Sequence, residues 1–140
     1  MYSIILMLHS WLRWIALAGG IGTTISRKER SALFTMIALD LQMLLGLLLY
    51  LVVSPNMAEI RAHFGEAMQN AQLRFWAVEH LTAMFVAIIL AHVGNVMARK
   101  AANAEAAGKR RMIFFGLATV LMLVGMPWPG LPYGRPLFRF

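Results

Sequence analysis

Four long runs of apolar residues divide the chain, at about residues 4–25, 32–53, 75–97 and 112–128. Each run is near the roughly 20 residues that an α-helix needs to cross about 30 Å of hydrocarbon. The runs are continuous rather than alternating, so they favour helices over strands. The pattern therefore predicts an all-α fold: one domain over residues 1–140, arranged as a transmembrane up-and-down four-helix bundle.

Two of the connections between these runs carry patterns of their own. In the second connection, residues 54–74, Ser54 suits an N-cap and Pro55 suits the first helical position. Apolar residues then recur at helical spacing: Met57, Ile60, Phe64 and Met68. This predicts a short amphipathic helix on the membrane surface.

The third connection, AANAEAAGKRR, is alanine-rich and predicts a frayed extension of the third helix as far as Gly108.

The composition supports a membrane protein. Hydrophobic residues make up 60% of the chain and charged residues 14%, and the mean hydropathy is +0.67. A soluble domain carries about a quarter charged residues. The chain has no cysteine, which excludes disulfides, iron–sulfur clusters, thiol chemistry and covalent haem attachment through CxxCH.

The distribution of the basic residues predicts how the chain is oriented in the membrane. The first and third connections hold most of them: Arg27, Lys28, Arg30, Arg99, Lys100, Lys109, Arg110 and Arg111. The second connection has only Arg61 and Arg74, and the C-terminal tail only Arg135 and Arg139. By the positive-inside rule, both termini are then periplasmic in a bacterial inner membrane. The formal charge of +7 is explained by topology, so no nucleic-acid partner is expected.

Two histidines stand at matched depth in this threading. His9 lies about five residues into the first run, and His80 lies about five residues into the third. Both runs enter from the outer side, so both side chains are roughly 8 Å below that edge. Imidazole nitrogen suits iron, and helix bundles hold cofactors between facing helices. The pattern predicts non-covalent haem b with His9 and His80 as iron ligands.

Charged residues near these histidines suggest two alternatives. Arg13 follows His9 by one helical turn and suits a haem propionate, and Arg74 at the outer mouth suits the second propionate. Alternatively, Arg13 and Glu79 form a structural ion pair, because each needs an opposite charge in the membrane. In that case His9 and His80 bond only to water or to backbone carbonyls.

A second polar layer lies nearer the cytoplasmic side. Asp40 in the second run and His92 in the third differ in depth by only a few ångströms on the helical rise. They are predicted to form a hydrogen-bonded pair. Its role is a proton-handling or quinone site, or else a polar contact that packs two helices.

The motifs HSWLRW, RFWAVEH and AHVG, followed by PWP and GRPLFRF at the end, resemble a family of small bacterial membrane proteins. These four-helix proteins are described as cytochrome-b-like. The resemblance covers nearly the whole chain. It implies a cytochrome-b-type bundle with His9 and His80 in the motif positions.

These observations favour a haem-b-binding electron-transfer protein or cytochrome subunit of the inner membrane. The alternative is a non-catalytic accessory subunit of a larger respiratory or photosynthetic complex. A third reading, a proton-coupled transporter using Asp40 and His92, lacks the broken helices or inverted repeat that such proteins carry. The expected partners are the lipid bilayer, a larger membrane complex or further copies of the chain, with quinone as a second small-molecule ligand. Whether the protein is an enzyme is left open.

Overall fold

A computed structural model of the chain describes residues 1–139, and Phe140 lies outside the described residues. It is 83% helical with no strand among those residues, so the predicted all-α class is confirmed. In chain order, the helices are α1 Tyr2–Ser26, α2 Glu29–Leu48, α3 Pro55–Ala62, α4 Phe64–Gln69, α5 Ala71–Arg74, α6 His80–Arg99 and α7 Ala104–Gly125. One π-helical turn, Leu49–Val53, continues α2, and another, Phe75–Glu79, joins α5 to α6.

Three helical stretches are long and apolar enough to cross a membrane: Tyr2–Ser26, Glu29–Val53 and Ala71–Arg99. They contain the first three predicted runs. Large apolar side chains are exposed on their outer faces, such as Ile37 at 60% and Leu44 at 64%. Soluble proteins rarely expose extended surfaces of this kind. The surface is compatible with a multi-pass membrane protein.

Helix α7 differs from its predicted bounds of residues 112–128. Asn103 caps it, because its Oδ1 accepts a hydrogen bond from the backbone N–H of Ala106 at 2.8 Å. The alanine-rich connection therefore begins α7, and the predicted extension of the third helix is wrong. The helix ends at Gly125, because Pro127 disfavours helical geometry in the residue before it. Its uncharged part, residues 112–125, is about 21 Å long.

The four long helices α1, α2, α6 and α7 pack in a closed order. Helix α1 contacts α2 and α7, and α6 contacts α7 and α2. Neighbours are antiparallel: His9 near the start of α1 meets Gln42, whereas Thr23 near its end bonds to Thr35 at 2.9 Å. Small residues dominate the buried core around Phe115: Ala16, Ala32, Ala38, Ala87, Ala91 and Ala118. Small side chains let helix backbones approach closely.

The second connection is helical, but in pieces. The Ser54 hydroxyl accepts a hydrogen bond from the N–H of Met57 at 3.3 Å, as the predicted cap requires. Met57 and Ile60 are buried. Helix α3 ends at Ala62, and after His63 the chain continues as α4. Phe64 therefore falls outside the buried face and is 45% exposed.

Residues 126–139, here called the C-terminal segment, contain no helix and fold back onto α1. The indole nitrogen of Trp11 donates to the carbonyl of Arg139 at 2.8 Å. The indole nitrogen of Trp14 donates to the carbonyl of Leu137 at 3.1 Å. These bonds hold the segment over one end of the helices, where it completes a cavity.

Candidate functional site

A cavity of about 180 Å³ lies among α1, α2, α6 and α7, beneath the C-terminal segment. At about 10–15 Å³ for each water-sized position, this volume is far larger than a packing void. Most of its wall is apolar, and no Asp or Glu of the described chain lines it. Apolar walls with a few convergent polar groups are typical of a cofactor or small-molecule site.

His9 from α1 and His80 from α6 both line this cavity. Their ring centroids are 6.5 Å apart, and the ring planes cross at 73°. Two imidazoles that each bind one metal ion through a bond of about 2 Å have centroids roughly 6 Å apart. The structure therefore brings the two predicted histidines together at a spacing that fits a shared ion.

Backbone geometry orients His80. Its Nδ1 donates to the carbonyl of Gly125 at 2.7 Å, which leaves the lone pair on Nε2. Metal-binding histidines commonly donate their other ring nitrogen to a carbonyl in this way. The rings of Phe75 and Trp76, from the π-helical turn just before α6, pack on the imidazole at 5.8 and 5.6 Å.

His9 is held against α2 by a residue to which the sequence assigned no role. The side-chain amide of Gln42 donates to the His9 carbonyl at 2.9 Å and lies 3.3 Å from His9 Nε2. Gly46 permits this packing, because a Cβ there would lie 3.1 Å from His9 Cε1. An amide within an apolar run needs a buried partner, and this was the signal that Gln42 offered.

Buried polar atoms without a hydrogen-bond partner converge on the cavity. In residues 1–139 there are seven such side-chain atoms. Four belong to cavity-lining residues: His9 Nδ1, Arg13 Nε, Gln42 Oε1 and Trp76 Nε1. Leaving a buried polar atom unpaired is costly, so native structures contain few of them. Their concentration here indicates that the cavity receives a polar ligand or water.

The predicted ion pair between Arg13 and Glu79 is wrong. Glu79 instead pairs with Arg74 at 2.8 Å, and both side chains are nearly half exposed. The π-helical turn explains this pair, because a five-residue turn brings positions i and i+5 to one face. Arg13 donates to the carbonyls of Leu137 and Pro136 in the C-terminal segment. Arg74, the predicted second propionate partner, does not line the cavity.

Asp40 and His92 form the predicted pair, with Nε2 of His92 2.9 Å from Oδ1 of Asp40. The side chain of His92 is 46% exposed and that of Asp40 is 52% exposed. Neither residue lines the cavity. The pair therefore lies on the outer surface of α2 and α6, and its role as a proton or quinone site stays a prediction.

Two further cavity residues, Arg135 and Arg139, lie in the C-terminal segment. Sequence reasoning treated them only as topology signals. Their signal was their presence in GRPLFRF, a motif that is both basic and aromatic. Without the path of the segment, nothing in the sequence connects them to His9 or His80.

The two histidines are the strongest candidate ligands that the described residues offer. Within residues 1–139, no group of three or more His, Asp and Glu side chains is placed to hold a metal ion. Comparisons of the chain with protein families, with curated proteins and with solved structures found no match. The cavity and its residues are therefore the only guide to the function of the described chain.

Proposed function

We propose that this is a bacterial inner-membrane protein that binds b-type haem and transfers electrons, alone or as a cytochrome subunit. The observation that carries the proposal is the approach of His9 and His80 across an apolar cavity, at 6.5 Å between centroids. Imidazole nitrogen is a preferred iron ligand, and helical proteins hold such cofactors between facing helices. Haem bound there supplies a one-electron carrier.

The chain's own residues serve this function by orientation and exclusion of water. The carbonyl of Gly125 keeps the proton of His80 on Nδ1, and Gln42 holds His9 against α2. His9 and His80 would both hold the iron of a bound haem, and two imidazole ligands would favour electron transfer over oxygen chemistry. The apolar wall restricts water and raises the strength of polar contacts inside the cavity.

We also propose that α7 crosses the membrane beside the three longer apolar stretches. It packs on both α1 and α6, so its core-facing side is satisfied by protein. Lys109, Arg110 and Arg111 near its start suit the cytoplasmic interface, where long basic side chains reach water. In this threading both termini, and the cavity beneath the C-terminal segment, are on the periplasmic side. The motif resemblance to cytochrome-b-like four-helix proteins supports the same arrangement.

An absorption spectrum tests the proposal directly. Protein made in cells with ample haem and purified in mild detergent should retain about one haem per chain. Its reduced-minus-oxidised spectrum should show the α-band of a low-spin b-type haem, because two imidazoles give a six-coordinate iron. Purified, folded protein without this band overturns the proposal.

A second candidate function is supported by the exposed pair of Asp40 and His92. Ionisable groups within a membrane span normally face a protein interior or a partner, and this pair is about half exposed on the protein surface. The pair thus favours contact with another membrane chain, as in an accessory subunit or an oligomer. No observation favours a quinone at this pair, because neither residue lines the cavity.

The double variant Asp40→Leu with His92→Leu tests this contact. We expect this variant to lose the partner chain or the oligomer. With leucine at both positions the surface is apolar, so it no longer needs a polar contact from another chain. The measurement is the mass of the detergent-purified particle by light scattering, with His63→Leu, at an exposed position of the second connection, as the control. A particle of unchanged mass argues against an interface at this surface.

A further inference from the structure

Three arginines line the cavity, namely Arg13, Arg135 and Arg139. No acidic residue lines the cavity, and none of these arginines forms an ion pair within residues 1–139. The charge of Arg139 lies close enough to repel that of Arg13. Like charges brought together in a partly buried site are stabilised when an anion binds between them.

Hydrogen-bond donors without a partner at this end of the cavity also indicate an anionic ligand. Arg13 Nε and Trp76 Nε1 are buried without a hydrogen-bond partner. The guanidinium carbon of Arg135 lies 5.1 Å from the centroid of the Trp76 ring, so a positive charge lies over the same indole. Indole and guanidinium groups only donate, so the missing partner is an acceptor. A carboxylate suits it, because its two oxygens match the paired donors of arginine.

The C-terminal segment folds back onto α1 and places Arg135 and Arg139 at the cavity. Trp11 and Trp14 bind the carbonyls of Arg139 and Leu137, and the ring of Phe138 stacks 5.7 Å from that of Trp14. These contacts hold residues 137–139 against α1. Tyr133 is stacked on Phe75 at 3.7 Å, which anchors the same segment to the turn before His80.

We infer that this end of the cavity is a carboxylate-binding site whose selectivity comes from Arg135 and Arg139 of the C-terminal segment. Its ligand class is an organic acid with an apolar body. If the proposed function holds, that ligand is haem, and these arginines bind its propionates. Arg74 does not take part, because its guanidinium pairs with Glu79. The carboxylate site itself does not depend on the haem proposal.

The test compares acids with their esters. The purified protein is titrated with iron protoporphyrin IX and with its dimethyl ester, followed by absorbance. A second titration uses a brominated long-chain fatty acid and its methyl ester, followed by quenching of tryptophan fluorescence. We expect an acid to bind about tenfold or more tightly than its ester, which is the effect of a charge-assisted hydrogen bond.

The double variant Arg135→Gln with Arg139→Gln should lose this preference and keep the affinity for the ester. Arg135→Lys with Arg139→Lys, which keeps the charge, should retain part of the preference and shows that the segment still folds. Arg74→Gln and Arg99→Gln each remove one positive charge elsewhere and should leave the preference unchanged.

The outcomes separate the two proposals. Preference for the fatty acid without binding of either porphyrin keeps the carboxylate site and overturns only haem binding. If neither the porphyrin nor the fatty acid binds more tightly than its own ester, the inference of a carboxylate-binding site is overturned. A preference that survives loss of Arg135 and Arg139, or that is lost with Arg74, also overturns it.

Discussion

Replacing His80 with alanine is expected to remove haem from the protein almost completely. The side chain supplies one of two facing imidazoles, and its ring is already oriented by the carbonyl of Gly125 at 2.7 Å. Loss of residues that merely orient a metal ligand costs about 10–100-fold in affinity, so loss of the ligand should cost on the order of 100-fold or more. His9→Ala should have the same effect, because it removes the other of the two facing imidazoles.

The remaining two histidines provide matched controls for this experiment. His63 is an exposed residue of the second connection and His92 is on the outer surface of α6, and neither lines the cavity. His63→Ala and His92→Ala should therefore keep the low-spin spectrum and the haem content. The measurements are haem per chain, the α-band and the thermal midpoint of each variant in detergent.

Two results of that series contradict the haem assignment. One is an unchanged spectrum in His80→Ala, which requires another ligand. The other is wild-type protein that carries no chromophore while His80→Ala fails to assemble. That result assigns the bond between His80 and Gly125 a packing role and supports an accessory subunit.

Replacing Gly94 with alanine is expected to separate α6 from α7. A Cβ at this position would lie 2.2 Å from Cβ of Phe114 and 2.7 Å from its Cγ. These atoms are at the base of the side chain, so relief requires the backbone of α7 to move. Overpacking of this kind costs about 3 kcal/mol at the upper end of its usual range. The higher helix propensity of alanine offsets about 1 kcal/mol, so we expect a net loss of about 2 kcal/mol.

Gly22→Ala is the matched control, because it makes the same exchange within a long helix. A Cβ at Gly22 would meet no atom within 4 Å, so the stability should stay the same or rise slightly. Denaturation of both variants in mixed detergent micelles measures the difference. Equal midpoints for the two variants would show that close packing at Gly94 does not hold the helices together.

Close packing at Gly94 also links folding to the candidate site. Helices α6 and α7 meet at Gly94 near one end and at the bond between His80 and Gly125 near the other. A shift of α7 therefore moves the carbonyl that orients His80. We expect any haem that Gly94→Ala retains to show a weaker or mixed-spin spectrum.

Several features of this protein follow from the sequence through short-range rules. Helices follow from the long apolar runs, because a chain in hydrocarbon satisfies its backbone groups locally. The cap at Ser54 follows from side-chain chemistry next to Pro55. The matched depth of His9 and His80 follows from the fixed rise per residue, because α1 and α6 run in the same direction. The same arithmetic brings Asp40 to His92.

Other features depend on the rotation of each helix about its axis and on the path of the non-helical segments. No local sequence pattern determines either of these. The partner of Arg13 was decided by the C-terminal segment, which has four prolines and no hydrophobic period to predict its path. The partner of Glu79 was decided by a π-helical turn that shifts its face toward Arg74. Depth alone does not distinguish an inward polar residue from an outward one. Only the packed helices place Gln42 against His9 in the cavity and leave Asp40 with His92 on the outer surface.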